Sequence, residues 1–190
     1  MTTDRSSRSN QRKPAPPAVL RIELRAPQEA DAEAIHAIDA AGLATGHATF
    51  RADPYTWDGW LQTFGAGSAV ALVAEQNGRV VGWAGVVPLS DRCTYSGVGE
   101  VSVYVAPAVR RTGVGRRLLA GLIQASEDAG YWTLVAQCFP QNKASVAVHE
   151  AEGFRRLGIR ERLGRMSYGA RAGEWRDVMM LERRSERIGQ

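Results

Sequence analysis

Leu20, Ile22 and Leu24 alternate with Arg21, Glu23 and Arg25, the period of two that marks a half-buried strand. Pro27 stands at a helix start, and Ala30, Ala34, Ile35, Ile38 and Ala41 then recur at helical spacing until Gly42 closes the segment. Residues 43–54 keep no period, whereas Thr56 is placed to cap a short helix carrying Trp57, Trp60, Leu61 and Phe64, so that loop and helix together could cover a site. Residues 68–75 and 79–87 read as strands joined through Asn77-Gly78, the strongest short hairpin signal. After a polar loop over residues 90–95, Val101, Val103 and Val105 alternate with Glu100, Ser102 and Tyr104, giving a strand with one apolar face and one face that carries chemistry. Pro107 breaks it. From Gly113, the residues Val114, Leu118, Leu119, Leu122, Ile123 and Ala125 mark an amphipathic helix ending at Gly130. A strand over 133–139, a helix over 142–151 stopped by Gly153, and strands over 154–163 and 175–181 complete the chain. Strands that are first antiparallel and then interleaved with helices predict an α/β (α+β) domain, a mixed, largely antiparallel sheet with helices on both faces.

The length of 190 residues suits one domain with a tail. The expected division is an Arg- and Pro-containing tail over 1–19, a domain over 20–184 and a short tail over 185–190. No apolar run approaches the roughly 18 residues that span a bilayer, and residues 1–19 lack the apolar core of a secretory signal, so the expected compartment is the cytoplasm. Cys93 and Cys138 are far apart without CxxC spacing, which suggests neither a disulfide framework nor a zinc site. The formal charge of +4 invites a nucleic-acid reading, but Arg5, Arg8, Arg12 and Lys13 against Asp4 put most of it in the tail. The domain is nearly neutral, and no nucleic-acid or membrane partner is expected.

The segment running from Val101 through Pro107 to Leu119 carries the chemistry. A strand leads into Arg110-Arg111-Thr112-Gly113-Val114-Gly115-Arg116-Arg117 and straight on into a helix. Gly113 and Gly115 let backbone N–H groups approach phosphate oxygens, the helix adds its unpaired amides and positive dipole end, and the arginines add charge. A P-loop would need GxxxxGK[ST], and no such Lys-Ser or Lys-Thr follows. A dinucleotide fingerprint would need a third Gly or Ala where Leu118 stands. A glycine-rich turn entering an Arg-capped helix, with no ligand, is the plain structural alternative.

The loop resembles the cofactor motif Arg/Gln-x-x-Gly-x-Gly/Ala of the GNAT superfamily of N-acetyltransferases, matched by Arg110-x-x-Gly113-x-Gly115. The likeness spans nearly the whole domain and is greatest to the phosphinothricin acetyltransferase branch. Its other blocks, in chain order, are Ala48-Thr49-Phe50, Glu100-x-Ser102-Val103-Tyr104-Val105, Asn142-x-x-Ser145-x-x-x-His149-Glu150-x-x-Gly153-Phe154 and Trp175-x-Asp177-Val178. The resemblance implies the GNAT fold with a splayed sheet, acetyl-CoA as co-substrate, no metal, a homodimer, and direct transfer of acetyl to a small-molecule amine in a ternary complex. It also implies acetyl-CoA contacts at the backbone of Val103, Tyr104 and Val105, at Arg110, Arg111, Thr112, Gly113, Val114, Gly115 and Arg116, and at Asn142 and Ser145.

An amino acid's ammonium is mostly charged at pH 7, so amine acetylation needs a base. By family position Glu100 is the first candidate, against the reading of a strand carboxylate facing solvent or paired with Arg. His149 is the second. At helical spacing it shares a face with Asn142 and Ser145, and it could assist proton transfer or orient Glu100, against the reading of an ordinary surface or core histidine. In the branch, basic and aromatic groups in the loop before the catalytic strand hold the acceptor's acidic ends. Arg92 and Tyr95 stand at two such positions, Ser90 replaces a Lys or Arg at a third, and Phe50 and Arg51 could complete the pocket wall. The expected acceptor is phosphinothricin, methionine sulfone, methionine sulfoximine or a related analogue. Two other readings stay open: a catalytically silent acyl-CoA-binding domain, and an enzyme acting on a protein amine.

Overall fold

In the computed structural model the described residues are 21–67 and 69–190. The expected tail over 1–19, and Leu20 of the first strand, lie outside them. The elements are β1 (Glu23–Arg25), α1 (Ala32–Leu43), α2 (Trp57–Phe64), β2 (Val70–Gln76), β3 (Arg79–Pro88), β4 (Val98–Val105), α3 (Val114–Asp128), β5 (Thr133–Cys138), α4 (Lys143–Ala151), β6 (Arg155–Arg165) and β7 (Trp175–Arg184). They form one seven-stranded sheet in the order β1-β2-β3-β4-β5-β7-β6. Every pairing is antiparallel except β4 with β5. Among the described residues no helix is long and apolar enough to cross a membrane.

Alternation along β3 decides which helices go on which face. Ala84 and Val86 join Val114, Leu118, Leu119 and Leu122 of α3 in the larger core, while Trp83 joins Ile35 and Ile38 of α1 and Trp60 and Phe64 of α2 on the opposite face. Burying each large α3 side chain contributes about 2–3 kcal/mol. Two glycines let the helices approach this closely. A Cβ on Gly82 would lie 2.8 Å from Leu118 Cδ1, and one on Gly85 2.5 Å from Phe64 Cδ1.

The Asn77-Gly78 turn has φ of 53° and 74°, both left-handed, as a two-residue hairpin with the sheet's twist requires. Thr56 caps α2 by accepting the Gly59 N–H at 3.2 Å. Two expectations need correction. The first helix does not begin at Pro27: a 3-10 turn over Glu29–Asp31 precedes α1, held by the Gln28 N–H donating to Asp31 Oδ2 at 2.8 Å and the Asp31 N–H donating to the Gln28 carbonyl at 2.9 Å. Gly42 does not end that helix but lies within it, where a Cβ would stand 2.9 Å from the Tyr104 ring. The Ser185 N–H donates to the Trp132 carbonyl at 2.8 Å, and the Arg187 and Ile188 amides bond to Ser185 Oγ.

The parallel pair β4–β5 positions the site. Its register covers only Val98–Glu100 against Thr133–Val135, whereas β4 stays paired with β3 as far as Val105. Beyond Glu100 the two strands part, and the β5-facing edge of β4 is no longer part of that ladder.

Candidate active site

Glu100 is the last β4 residue paired with β5 and so stands at the fork. It is half-buried and accepts a 2.9 Å hydrogen bond from Gln137 Nε2 of β5. Burial pushes its carboxyl above the usual carboxylate range, outweighing the Gln137 bond, which favours the charged form. Beside it, burial also raises the Cys138 thiol, whose Sγ lies 3.2 Å from Ser145 Oγ. Tyr104, on the same face of β4, stacks on Trp83 with centroids 4.6 Å apart. Its phenol is pushed up by burial, and its ring packs against the core formed by α1, α2 and β3.

The Arg110–Arg117 loop leads from the end of β4 into α3. Arg111 and Gly113 are left-handed, with φ of 66° and 93°, and Gly113 is the N-cap of α3. No side chain caps this helix start, which leaves the first α3 amides facing outward as an anion site. A Cβ on Gly113 would meet no atom within 4 Å, and one on Gly115 would only touch Val105 at 3.4 Å, so the space over the loop is open. Thr112 Oγ1 turns back to the Val109 carbonyl at 2.7 Å, and Arg110 Nε to the Val105 carbonyl at 3.3 Å. Arg116 is engaged elsewhere, in a 2.6 Å ion pair with Glu152 that ties α3 to the end of α4. Gly113→Ala should cost about 1–2 kcal/mol in backbone strain alone. If the loop holds acetyl-CoA, the KM for acetyl-CoA should also rise about tenfold, corresponding to some 1.4 kcal/mol. Thermal melts and initial rates measure the two effects.

Asn142 caps α4 through its Oδ1, which accepts the Ser145 N–H at 3.2 Å, and its Nδ2 donates to the His47 carbonyl at 3.1 Å. His149 is buried, at 4% exposure. Its Nδ1 must donate to the Ser145 carbonyl, 2.8 Å away, which leaves Nε2 as an acceptor without a protein partner. Burial lowers its pKa, and Phe154 packs edge-on at 5.0 Å. The imidazole is therefore neutral at pH 7. The expectation that His149 orients Glu100 is corrected: the group bonded to Glu100 is Gln137, while His149 is bonded to its own helix.

Arg92, Tyr95 and the free Cys93 lie at the 3-10 turn between β3 and β4, all exposed, with the Arg92 N–H 3.3 Å from Ser90 Oγ. Phe50 packs edge-on against Phe139 at 4.9 Å, in a small cluster with Met166 and Val178. Arg51 is not free to form a pocket wall. Its guanidinium bonds to both carboxylate oxygens of fully buried Asp39, at 2.8 and 2.9 Å, and lies 3.7 Å over the Tyr55 ring.

Sequence reasoning missed a cationic cluster next to these groups. Arg176 of β7 is only 3% exposed, yet among the described residues no carboxylate is within ion-pair distance of it. It lies 4.2 Å over the Phe139 ring and donates to the Gly46 carbonyl at 3.0 Å and Gln141 Oε1 at 3.0 Å. Arg176 also approaches His47 Nδ1 at 3.1 Å, while Arg171 approaches His47 Nε2 at 3.2 Å. Arg171 borders a cavity of about 600 Å³ between the end of α1, residues 44–54 and the β6–β7 connection. The lone sequence signal was Trp175-x-Asp177-Val178, which frames Arg176 without marking it.

Comparison with known proteins fits this geometry. The profile of the acetyltransferase (GNAT) family matches residues 33–154. The chain is 32% identical to a phosphinothricin N-acetyltransferase of Alcaligenes faecalis, over 94% of this chain and 93% of that one. It is 32% identical to an L-methionine sulfoximine/L-methionine sulfone acetyltransferase of Salmonella typhimurium, over 58% of this chain and 62% of that one. A phosphinothricin acetyltransferase of Sinorhizobium meliloti, solved in complex with acetyl-CoA, superposes with a TM-score of 0.76 at 26% identity, covering 86% of this chain and 88% of the other.

Proposed function

Because this chain belongs to the acetyltransferase (GNAT) family, we propose that it transfers an acetyl group from acetyl-CoA to the amine of a small amino-acid-like acceptor, with Glu100 as general base. The observation that carries this reading is the position of Glu100, a half-buried carboxylate of raised proton affinity at the point where β4 and β5 part. Acetyl-CoA supplies an acetyl group already activated as a thioester. The glycine loop offers it the amides of Val114, Gly115 and Arg116 for its phosphates. The backbone of Val103, Tyr104 and Val105, on the open edge of β4, offers N–H and C=O groups for its arm and for the thioester carbonyl. Asn142 and Ser145 lie alongside.

Glu100 accepts a proton from the acceptor ammonium, directly or through a water, and so frees the attacking lone pair. A carboxylate with a raised pKa is better matched to that task than an ordinary one. Gln137 fixes its orientation. His149, the second candidate by family position, holds an unpaired Nε2 on the helix that borders the fork, although burial disfavours its protonated form. Arg92 and Tyr95 are assigned to an acidic or polar end of the acceptor. The relatives' acceptors, phosphinothricin, methionine sulfoximine and methionine sulfone, set the chemical class.

The test is release of free CoA from acetyl-CoA, with those three compounds screened beside the common amino acids and the acetylated product identified by mass. Turnover of at least one of them supports the proposal. Acetyl-CoA binding with no CoA released for any amine would instead mark a silent acyl-CoA-binding domain, and turnover of peptides alone would mark a protein acetyltransferase.

A further inference from the structure

The carboxylate of Glu100 has few neighbours that could support its charge. Its residue pairs with Val87 of β3 and with Val135 of β5, and neither side chain carries a donor. Among the described residues Glu100 belongs to no ion pair. The titratable side chains around it are themselves uncharged at pH 7. Burial pushes up the Cys138 thiol on β5 and the Tyr104 phenol on its own strand, and it pushes down the His149 imidazole on α4. What favours the charged form of this half-buried carboxylate is a single amide, Gln137 Nε2, 2.9 Å from Oε2.

Gln137 stands on a firmly held strand. It pairs with Met180 of β7 and lies between Ala136 and Cys138, both buried. The β4–β5 ladder ends at Val135, two residues earlier, so the amide reaches Glu100 across the gap that opens where the strands part. Both ends of the hydrogen bond are therefore anchored to paired backbone at a point where the two strands no longer pair with each other. Because Nε2 engages Oε2, Oε1 is the oxygen left for an incoming donor. We infer that Gln137 is a positioning residue for proton transfer, holding Oε2 so that Glu100 stays charged and Oε1 receives the proton of the acceptor ammonium. In that step an N–H bond breaks, an O–H bond forms at Oε1, and the electron pair left on nitrogen attacks the thioester carbonyl. The inference rests on the role proposed above for Glu100.

The experiment titrates Glu100 by carbon-detected NMR of its side-chain carboxyl, in the full chain without acetyl-CoA, for the parent, Gln137→Met and Gln137→Glu. Met keeps the length of the side chain and removes the donor, whereas Glu sets a second carboxylate against the first. The midpoint is expected about one pH unit higher in Gln137→Met, the scale of losing one hydrogen bond to a charged group. It should be higher again in Gln137→Glu, where two like charges meet. With L-methionine sulfone as acceptor, the acidic limb of kcat/KM should move in the same order. Gln137→Met should then be about tenfold slower than the parent on that limb and within about threefold of it on the alkaline plateau, with the KM for acetyl-CoA within about twofold. A rate lowered equally at every pH would mark a packing role and overturn the inference, as would an unchanged Glu100 midpoint in Gln137→Met. A midpoint that moves as expected in a chain that releases no CoA supports the hold of Gln137 on Glu100 and counts against the proposed enzyme alone.

Discussion

Glu100→Gln is expected to lower kcat at least about 100-fold while leaving the affinity for acetyl-CoA within about twofold, the scale of losing a general base. The replacement keeps the shape and leaves an amide oxygen to accept the Gln137 bond, so what it removes is the proton acceptor. In the parent, kcat/KM should fall as pH drops through a pKa above the ordinary carboxylate range, and that acidic limb should be missing from the residual rate of the variant. Stability should move the other way. Because the folded chain holds the Glu100 proton more tightly than the unfolded chain does, stability is lost as pH rises from the unfolded pKa through the folded one. At pH 7 Glu100→Gln should therefore melt no lower than the parent, with the difference vanishing toward pH 4. Unchanged turnover would remove Glu100 from the mechanism.

Asp39→Ala should have the largest effect on stability, about 3–5 kcal/mol, because it breaks a buried pair by deleting one partner. Asp39 is fully buried and accepts three bonds: two from the Arg51 guanidinium and one from the Tyr55 N–H at 2.8 Å. Its loss strands the Arg51 charge and frees the connection between α1 and α2. A melting temperature lower by about 10 °C is expected at this chain length. A melt within about 2 °C of the parent would show that Arg51 finds another partner.

The ladder and the helix faces were legible because they follow local periodicity. Asn77-Gly78, the Thr56 cap and the α3 stripe each specify their own neighbourhood. What could not be read depends on pairs brought together by topology. The insertion of β7 between β5 and β6 is what carries Arg176 to His47, 129 residues away in sequence. Gln137 on its strand has nothing to distinguish it from a solvent-facing residue until β5 lies beside Glu100. His149 shows the limit of face-sharing arguments: the stripe with Asn142 and Ser145 is real, but α4 turns it into the core, so the imidazole bonds to its own helix. Arg116 makes an exposed ion pair with Glu152 that no local pattern marks.

The parting of β4 from β5 after Glu100 has an evolutionary consequence. A binding edge made of peptide groups is present whatever side chains β4 carries, so substitution cannot easily delete it while the strand persists. Descendants of such a sheet can therefore exchange the residues of their acceptor pocket almost without risk to their hold on the acyl donor. The relatives at about a third identity are named for different acceptors, as expected where acceptor specificity changes while such a backbone edge stays in place.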